Sequence, residues 1–219
     1  MRPTFTRGLA LSRRELLVAS AAAWPLAARA DTWQRDIDVT GTSPSLDFRM
    51  QATPDGRTMT AADCRGHVTL LYFGYTFCPD VCPLTMQNLT DALSKAGEAG
   101  KDMRVLFVTV DPGRDTGDVL AKYVSLWGPN VIGLRGDDNA LQRMAKRYRI
   151  AYSVDPSPDP TKYEVSHSSV IYVFDRQGDA RLLVPSMAES TADTGALAAD
   201  LVRLSNERPS LWNWLRRVV

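Results

Sequence analysis

Apolar and polar positions along this chain fall into strand and helix periods in turn. Leu46-Asp-Phe-Arg-Met-Gln51 alternates strictly, as a half-buried strand does, and Pro54-Asp-Gly56 turns the chain. His67-Val-Thr-Leu-Leu-Tyr-Phe-Gly-Tyr75 is a nearly continuous apolar, β-branched and aromatic run, the pattern of a strand covered on both faces. A helix follows from Pro83 to about Glu98, with Leu84, Leu89, Ala92 and Leu93 on its apolar stripe and Gly97 and Gly100 ending it. Met103 to Val110 reads as the next buried strand, Thr116 to Trp127 as a helix, Val131 to Leu134 as a short strand and Ala140 to Arg149 as a helix. Beyond the proline-rich loop Asp155-Pro-Ser-Pro-Asp-Pro160, the pattern gives a strand from Ser168 to Asp175, a turn at Gly178, a hairpin partner from Arg181 to Val184, and a helix from Glu189 to Leu204. The sum is an α/β layer domain with a mixed central sheet, flanking helices and a late β-hairpin. Such domains bind ligands beyond the carboxyl ends of their strands, where Cys78 falls.

The N-terminus reads differently. Residues 1–30 hold five arginines against one acid, then an apolar run from Leu16 to Ala28 that ends in Ala28-Arg29-Ala30. That is the order of an export signal cut after Ala30, and Ser12-Arg13-Arg14-Glu15-Leu16-Leu17 fits a twin-arginine signal. The run is 13 residues long, contains Pro25 and falls short of the roughly 20 that span a bilayer. The expected division is an export signal at 1–30, a polar lead at 31–45, one domain at 46–205 and a tail at 206–219, with the mature chain in the periplasm. Cleavage takes the formal charge from +1 to 21 basic against 24 acidic residues. A mildly acidic chain with no long basic block argues against a nucleic-acid partner. The final Leu211-Trp-Asn-Trp-Leu-Arg-Arg-Val-Val219 fits membrane contact at an interface or, the plainer account for so short a segment, a helix packed on the domain.

Compartment shapes the meaning of Cys78-Pro-Asp-Val-Cys82-Pro83. Proline disfavours the α conformation in the residue before it and is favoured at the first helical position, so Pro83 is expected to open the helix with Cys82 as its cap. A thiol at that position has its pKa lowered by the helix dipole. Four readings stand open. A structural disulfide would close too small a loop to constrain the unfolded chain much. A thioredoxin-type redox couple has two residues between its cysteines, and here there are three. Two inert buried thiols, or part of a metal site, are the others. A metal site needs further ligands, and the chain has two histidines. His67, in Arg65-Gly-His-Val, reads as a solvated turn residue; His167, in Tyr163-Glu-Val-Ser-His-Ser-Ser169, precedes the late strand, and by spacing alone such a histidine is more often structural. Asp80 reads as a turn-stabilising acid.

Three motifs carry a resemblance. Phe73-Gly-Tyr-Thr-Phe-Cys-Pro-Asp-Val-Cys-Pro83, Val108-Thr-Val-Asp-Pro-Gly-Arg-Asp-Thr116, and Ser166-His-Ser-Ser169 before a strand ending Asp175-Arg-Gln-Gly178 resemble the SCO/SenC proteins, thioredoxin-fold copper chaperones of cytochrome c oxidase assembly. The likeness runs from about Leu46 to Leu204. It implies a thioredoxin-like fold and a copper site made of Cys78, Cys82 and His167. Two thiolates and an imidazole suit copper(I), and can hold copper(II) with an added oxygen donor. Zinc in a closed site asks for a fourth ligand that these motifs do not offer. The implied partners are the oxidase subunit that carries a copper site, or other copper chaperones. The alternative is a thiol-disulfide oxidoreductase that reduces the cysteines of such a site, with Cys78 and Cys82 as its couple. Asp111, Arg114 and Asp115 match the second motif as supporting residues, with Asp115 or Thr116 capping the next helix and Arg114 paired to an acid. Cys64 stands where relatives tend to be apolar, which implies a buried, inert thiol.

Overall fold

The computed structural model describes residues 33, 36–159, 162–185 and 187–207; residues 1–30, read above as an export signal, and the Trp-Arg stretch at 211–219 lie outside the described residues. In chain order the elements are β1 (Ile37–Asp38), β2 (Arg49–Ala52), β3 (Thr58–Thr60), a 3-10 turn (Ala61–Cys64), β4 (Thr69–Gly74), α1 (Val81–Lys95), α2 (Glu98–Lys101), β5 (Arg104–Thr109), α3 (Gly117–Ser125), β6 (Val131–Arg135), α4 (Asp138–Arg147), β7 (Tyr152–Asp155), β8 (Glu164–His167), β9 (Ile171–Phe174), β10 (Ala180–Val184) and α5 (Thr194–Asn206).

Eight strands form one sheet in the order β1-β10-β9-β4-β5-β6-β2-β3. The pairs β4–β5 and β5–β6 are parallel, and every other pair in the sheet is antiparallel. This is the expected mixed α/β sheet, with α1 packed on α5 and α3 on β6. Every residue of β4 is buried, as its unbroken apolar run requires of a central strand. Tyr72, Phe73, Phe107 and Phe174 anchor the core from β4, β5 and β9. The late hairpin is β9–β10, and Gly178 takes its turn at φ +77°, a conformation open to glycine.

Two differences from the sequence reading bear on the site. α1 starts at Val81, two residues before Pro83, so Cys82 lies within the first turn rather than capping it. Proline is tolerated there because the first helical N–H groups have no intrahelical acceptor. The second difference is a separate antiparallel ribbon, β7–β8, which sets Tyr152 opposite His167. Its strands are short and mostly exposed, so they carry little apolar signal. The strand read as beginning at Ser168 therefore begins at Ile171, after the chain has left the ribbon.

Gly74 closes β4 where the sheet meets α1. A Cβ there would stand 3.0 Å from Cys82 Sγ and 2.9 Å from the Phe107 ring. Both neighbours are fully buried. Gly74→Ala is therefore expected to cost about 1–3 kcal/mol of stability, the range of an overpacked core, measured by urea unfolding of the reduced protein. Loss of less than a few tenths would show that the strand end has room to spare.

Candidate metal centre

The cysteine loop leaves the carboxyl end of β4 and is pinned at Thr76. Asp115, fully buried, accepts from the Thr76 backbone N–H at 3.1 Å, from the Thr76 hydroxyl at 2.5 Å and from the Thr109 hydroxyl at 2.5 Å. Burial raises the Asp115 pKa, and these donors pull against that shift. The Cys78 amide donates to the Tyr75 carbonyl at 3.3 Å, which folds the chain back so that the sulfur approaches α1.

Cys82 sits on the first turn of α1 with its side chain fully buried, whereas Cys78 is partly exposed. The Cys82 amide donates to Cys78 Sγ at 3.4 Å. Cys82 Sγ lies 3.2 Å from His167 Nε2. His167 Nδ1 lies 3.1 Å from the Ser168 carbonyl, which can only accept, so that nitrogen carries the proton and Nε2 presents its lone pair to the sulfurs. The rings of Tyr75 and Tyr72 meet the imidazole edge-on at 5.9 and 6.0 Å and hold its plane. The ligand atoms of Cys78, Cys82 and His167 all lie within 4.8 Å of one another. The fold thus gathers the three residues that the sequence motifs single out.

The two thiols are not equivalent. Hydrogen bonds from the Cys82 side chain and from the Asp80 and Cys82 amides hold Cys78 far below the ordinary thiol range, against the opposing effect of its own burial. Cys82 is pushed up, because it donates to Cys78 and because it is buried. Both shifts favour the charge on Cys78 and the proton on Cys82. This corrects the expectation that the helix N-terminus would ionise Cys82. The first-turn amide points at the Cys78 sulfur instead, and the Cys82 side chain faces inward.

The remaining residues fall into place around this group. His67 stays in the turn entering β4, away from the clustered donors, with Nδ1 2.8 Å from the Asp102 carbonyl and 2.9 Å from its carboxylate. Cys64 is a buried free thiol whose pKa is raised by desolvation. Asp80 occupies the N-cap position of α1 without a side-chain capping bond. Thr116, rather than Asp115, caps α3 by accepting from the Val119 amide at 3.4 Å, and Arg114 pairs with Asp111. Sequence reasoning passed over Gly74, Tyr75 and Tyr163 and, naming Asp115 or Thr116 as the cap of α3, gave Asp115 no other role. The aromatics flanking both ligand motifs were the available signal for Tyr75 and Tyr163; nothing in the spacing shows that Asp115 is buried.

Comparison with known proteins agrees with the geometry. The SCO1/SenC family profile matches residues 42–205. An SCO2-like protein of Rickettsia prowazekii is 30% identical over 164 residues, which cover 74% of this chain and 77% of that one. The mitochondrial SCO2 homolog of Bos taurus is 38% identical over 125 residues, 56% of this chain and 47% of the bovine one, so the match spans about half of that relative. The structure of Bradyrhizobium japonicum ScoI with copper bound aligns with a TM-score of 0.65 at 31% identity, covering 74% of this chain and 99% of that one. With its thioredoxin-like sheet, its cysteine pair following β4 and a family profile spanning most of the α/β domain, the chain belongs to the SCO1/SenC family.

Proposed function

We propose that the chain is a periplasmic copper metallochaperone that binds one copper ion through Cys78, Cys82 and His167. It passes the ion by ligand exchange to the copper-site subunit of cytochrome c oxidase, or to another copper chaperone. The observation that carries this reading is the convergence of two sulfurs and an imidazole nitrogen within 4.8 Å. Soft thiolates with one imidazole favour copper(I) over hard divalent ions, and the set accepts copper(II) if an oxygen donor joins. The imidazole already presents its free nitrogen to the sulfurs, so capture requires only loss of the proton held on Cys82. The partly exposed Cys78 gives an acceptor's ligand a point of attack, which a closed four-ligand site would deny. Oxidation of the pair to a disulfide would take both sulfurs out of the donor set. The periplasmic assignment rests on the twin-arginine pattern at residues 1–30. No helix among the described residues is long and apolar enough to cross a membrane.

A second reading has one specific observation in its favour, the asymmetry of the thiols. A partly exposed thiolate beside a buried, protonated partner is the arrangement of a dithiol reductant. Cys78 would attack one sulfur of a target disulfide and expel the other as thiolate. Cys82, losing its proton, would then attack Cys78 in the mixed disulfide, releasing the reduced target and leaving an intramolecular disulfide.

His167 separates the two readings. His167→Ala should lower copper(I) affinity, measured by competition with a chelator, by more than the roughly 10–100-fold that loss of a merely supporting residue costs. Reduction of a model disulfide should persist. Unchanged copper affinity would refute the proposed ligand set.

The thiol asymmetry predicts a distinct reactivity profile. Because the folded Cys78 pKa is depressed, alkylation of the reduced protein by iodoacetamide should modify Cys78 first, with a rate that stays nearly flat over about pH 5 to 8, where an ordinary thiol gains reactivity tenfold per unit. A Cys78 rate that rises with pH like a free thiol, or equal labelling of Cys82 by mass spectrometry, would contradict the charge on Cys78 and the proton on Cys82.

A further inference from the structure

The ribbon β7–β8 that carries His167 is hydrogen-bonded to no strand of the main sheet among the described residues, so side chains must fix where the imidazole stands. Val165 of β8 is buried in the core, and the polar and aromatic contacts beside the donors converge on one residue outside the donor set. Arg114 lies in the loop after β5, with its side chain 14% exposed. Its Nε donates to the Asp111 carboxylate at 2.5 Å, and its Nη1 donates to the Tyr163 carbonyl at 2.8 Å. The guanidinium carbon lies 3.6 Å from the centre of the Tyr163 ring, 5.0 Å from that of Phe77 and 5.7 Å from that of Tyr75. The Tyr163 hydroxyl closes the arrangement by donating to the same Asp111 carboxylate at 2.6 Å.

Each residue gripped by Arg114 adjoins a donor. Phe77 immediately precedes Cys78. Tyr75 accepts from the Cys78 amide, packs edge-on against His167, and receives the Val165 amide of β8 at its hydroxyl. Tyr163 immediately precedes β8, which ends on His167. The guanidinium thus stands against the root of the histidine ribbon with the aromatic rings of the cysteine loop also within 6 Å, while the 4%-exposed Asp111 holds it in place. A lysine could balance Asp111 but has neither the fork nor the flat face.

We infer that Arg114 is a positioning residue that clamps the His167 ribbon onto the cysteine loop and so sets the imidazole against Cys78 and Cys82. The inference builds on the copper reading above, yet its first readout needs no metal. The chain has two histidines, and His67 serves as an internal control because it lies elsewhere and is held by Asp102.

The test uses Arg114→Lys, which keeps a counter-charge for the buried Asp111, and Tyr163→Leu, which removes the other half of the contact. In the reduced, metal-free protein the Hε1 proton resonance of His167 should shift and broaden in both variants while that of His67 stays in place. Copper(I) affinity should fall by about 10–100-fold, the usual cost of losing a residue that orients a ligand. In a His167→Ala background the same substitutions should cost nothing further, because the clamp acts through the imidazole. A His167 resonance unmoved in both variants, or a copper penalty that persists in full without His167, would overturn the inference. If the parent protein takes up no copper, the proposed function fails, and the resonance alone still decides the clamp.

Discussion

Cys82 Sγ and His167 Nε2 stand 3.2 Å apart although 85 residues separate them in the chain. For a helix-borne sulfur and a ribbon-borne imidazole to meet, two frameworks must each be exact. β4 must end in a glycine so that Cys82 can tuck against it. The β7–β8 ribbon, outside the main sheet, must be set down over the same strand end. Burial supplies the first framework: β4 and β5 are packed on both faces and leave the strand end no freedom. Polar and aromatic contacts supply the second, through Tyr75, Tyr163, Arg114 and Asp111. The site thus joins a rigid half to a half whose placement depends on a few specific side chains.

The same geometry explains why two cysteines on one loop behave differently. The amides at the start of α1 and the Cys82 thiol all direct hydrogen toward the Cys78 sulfur, which also keeps access to solvent. Cys82 gives up its share of the positive helix end by facing inward. A proton held on the buried sulfur and a charge held on the accessible one is a state ready for an incoming soft cation. It is equally ready for an incoming disulfide. Both chemistries proposed for this chain begin from that resting state, and the imidazole distinguishes them.

The hydrophobic pattern made the large elements legible because they are buried. β4, β5, α1, α4 and the β9–β10 hairpin all stand within a few residues of where periodicity puts them. The cysteines were placed correctly at the end of β4, and the motifs' resemblance brought His167 into the donor set. What stayed hidden was weakly apolar or set by tertiary contact. The ribbon β7–β8 is mostly exposed, so its few apolar side chains gave no strand signal, although it holds the third donor. The direction of the thiol shift was misread because a helix dipole argument knows where the N-terminus is but not which sulfur its amides face. Asp115 and Thr116 both stood as possible caps of α3, since a capping acid and a buried acid look alike in one dimension; Thr116 caps the helix, and Asp115 pins Thr76 below the cysteine loop.

X-ray absorption at the copper edge of the reduced protein loaded with one equivalent of copper(I) tests the central claim most directly, because it counts the scatterers around the ion. Two sulfurs and one imidazole nitrogen, with the outer-shell scattering of a histidine ring, are the result this structure predicts. A sulfur-only shell, or imidazole scattering retained when His167 is replaced by alanine, would contradict it.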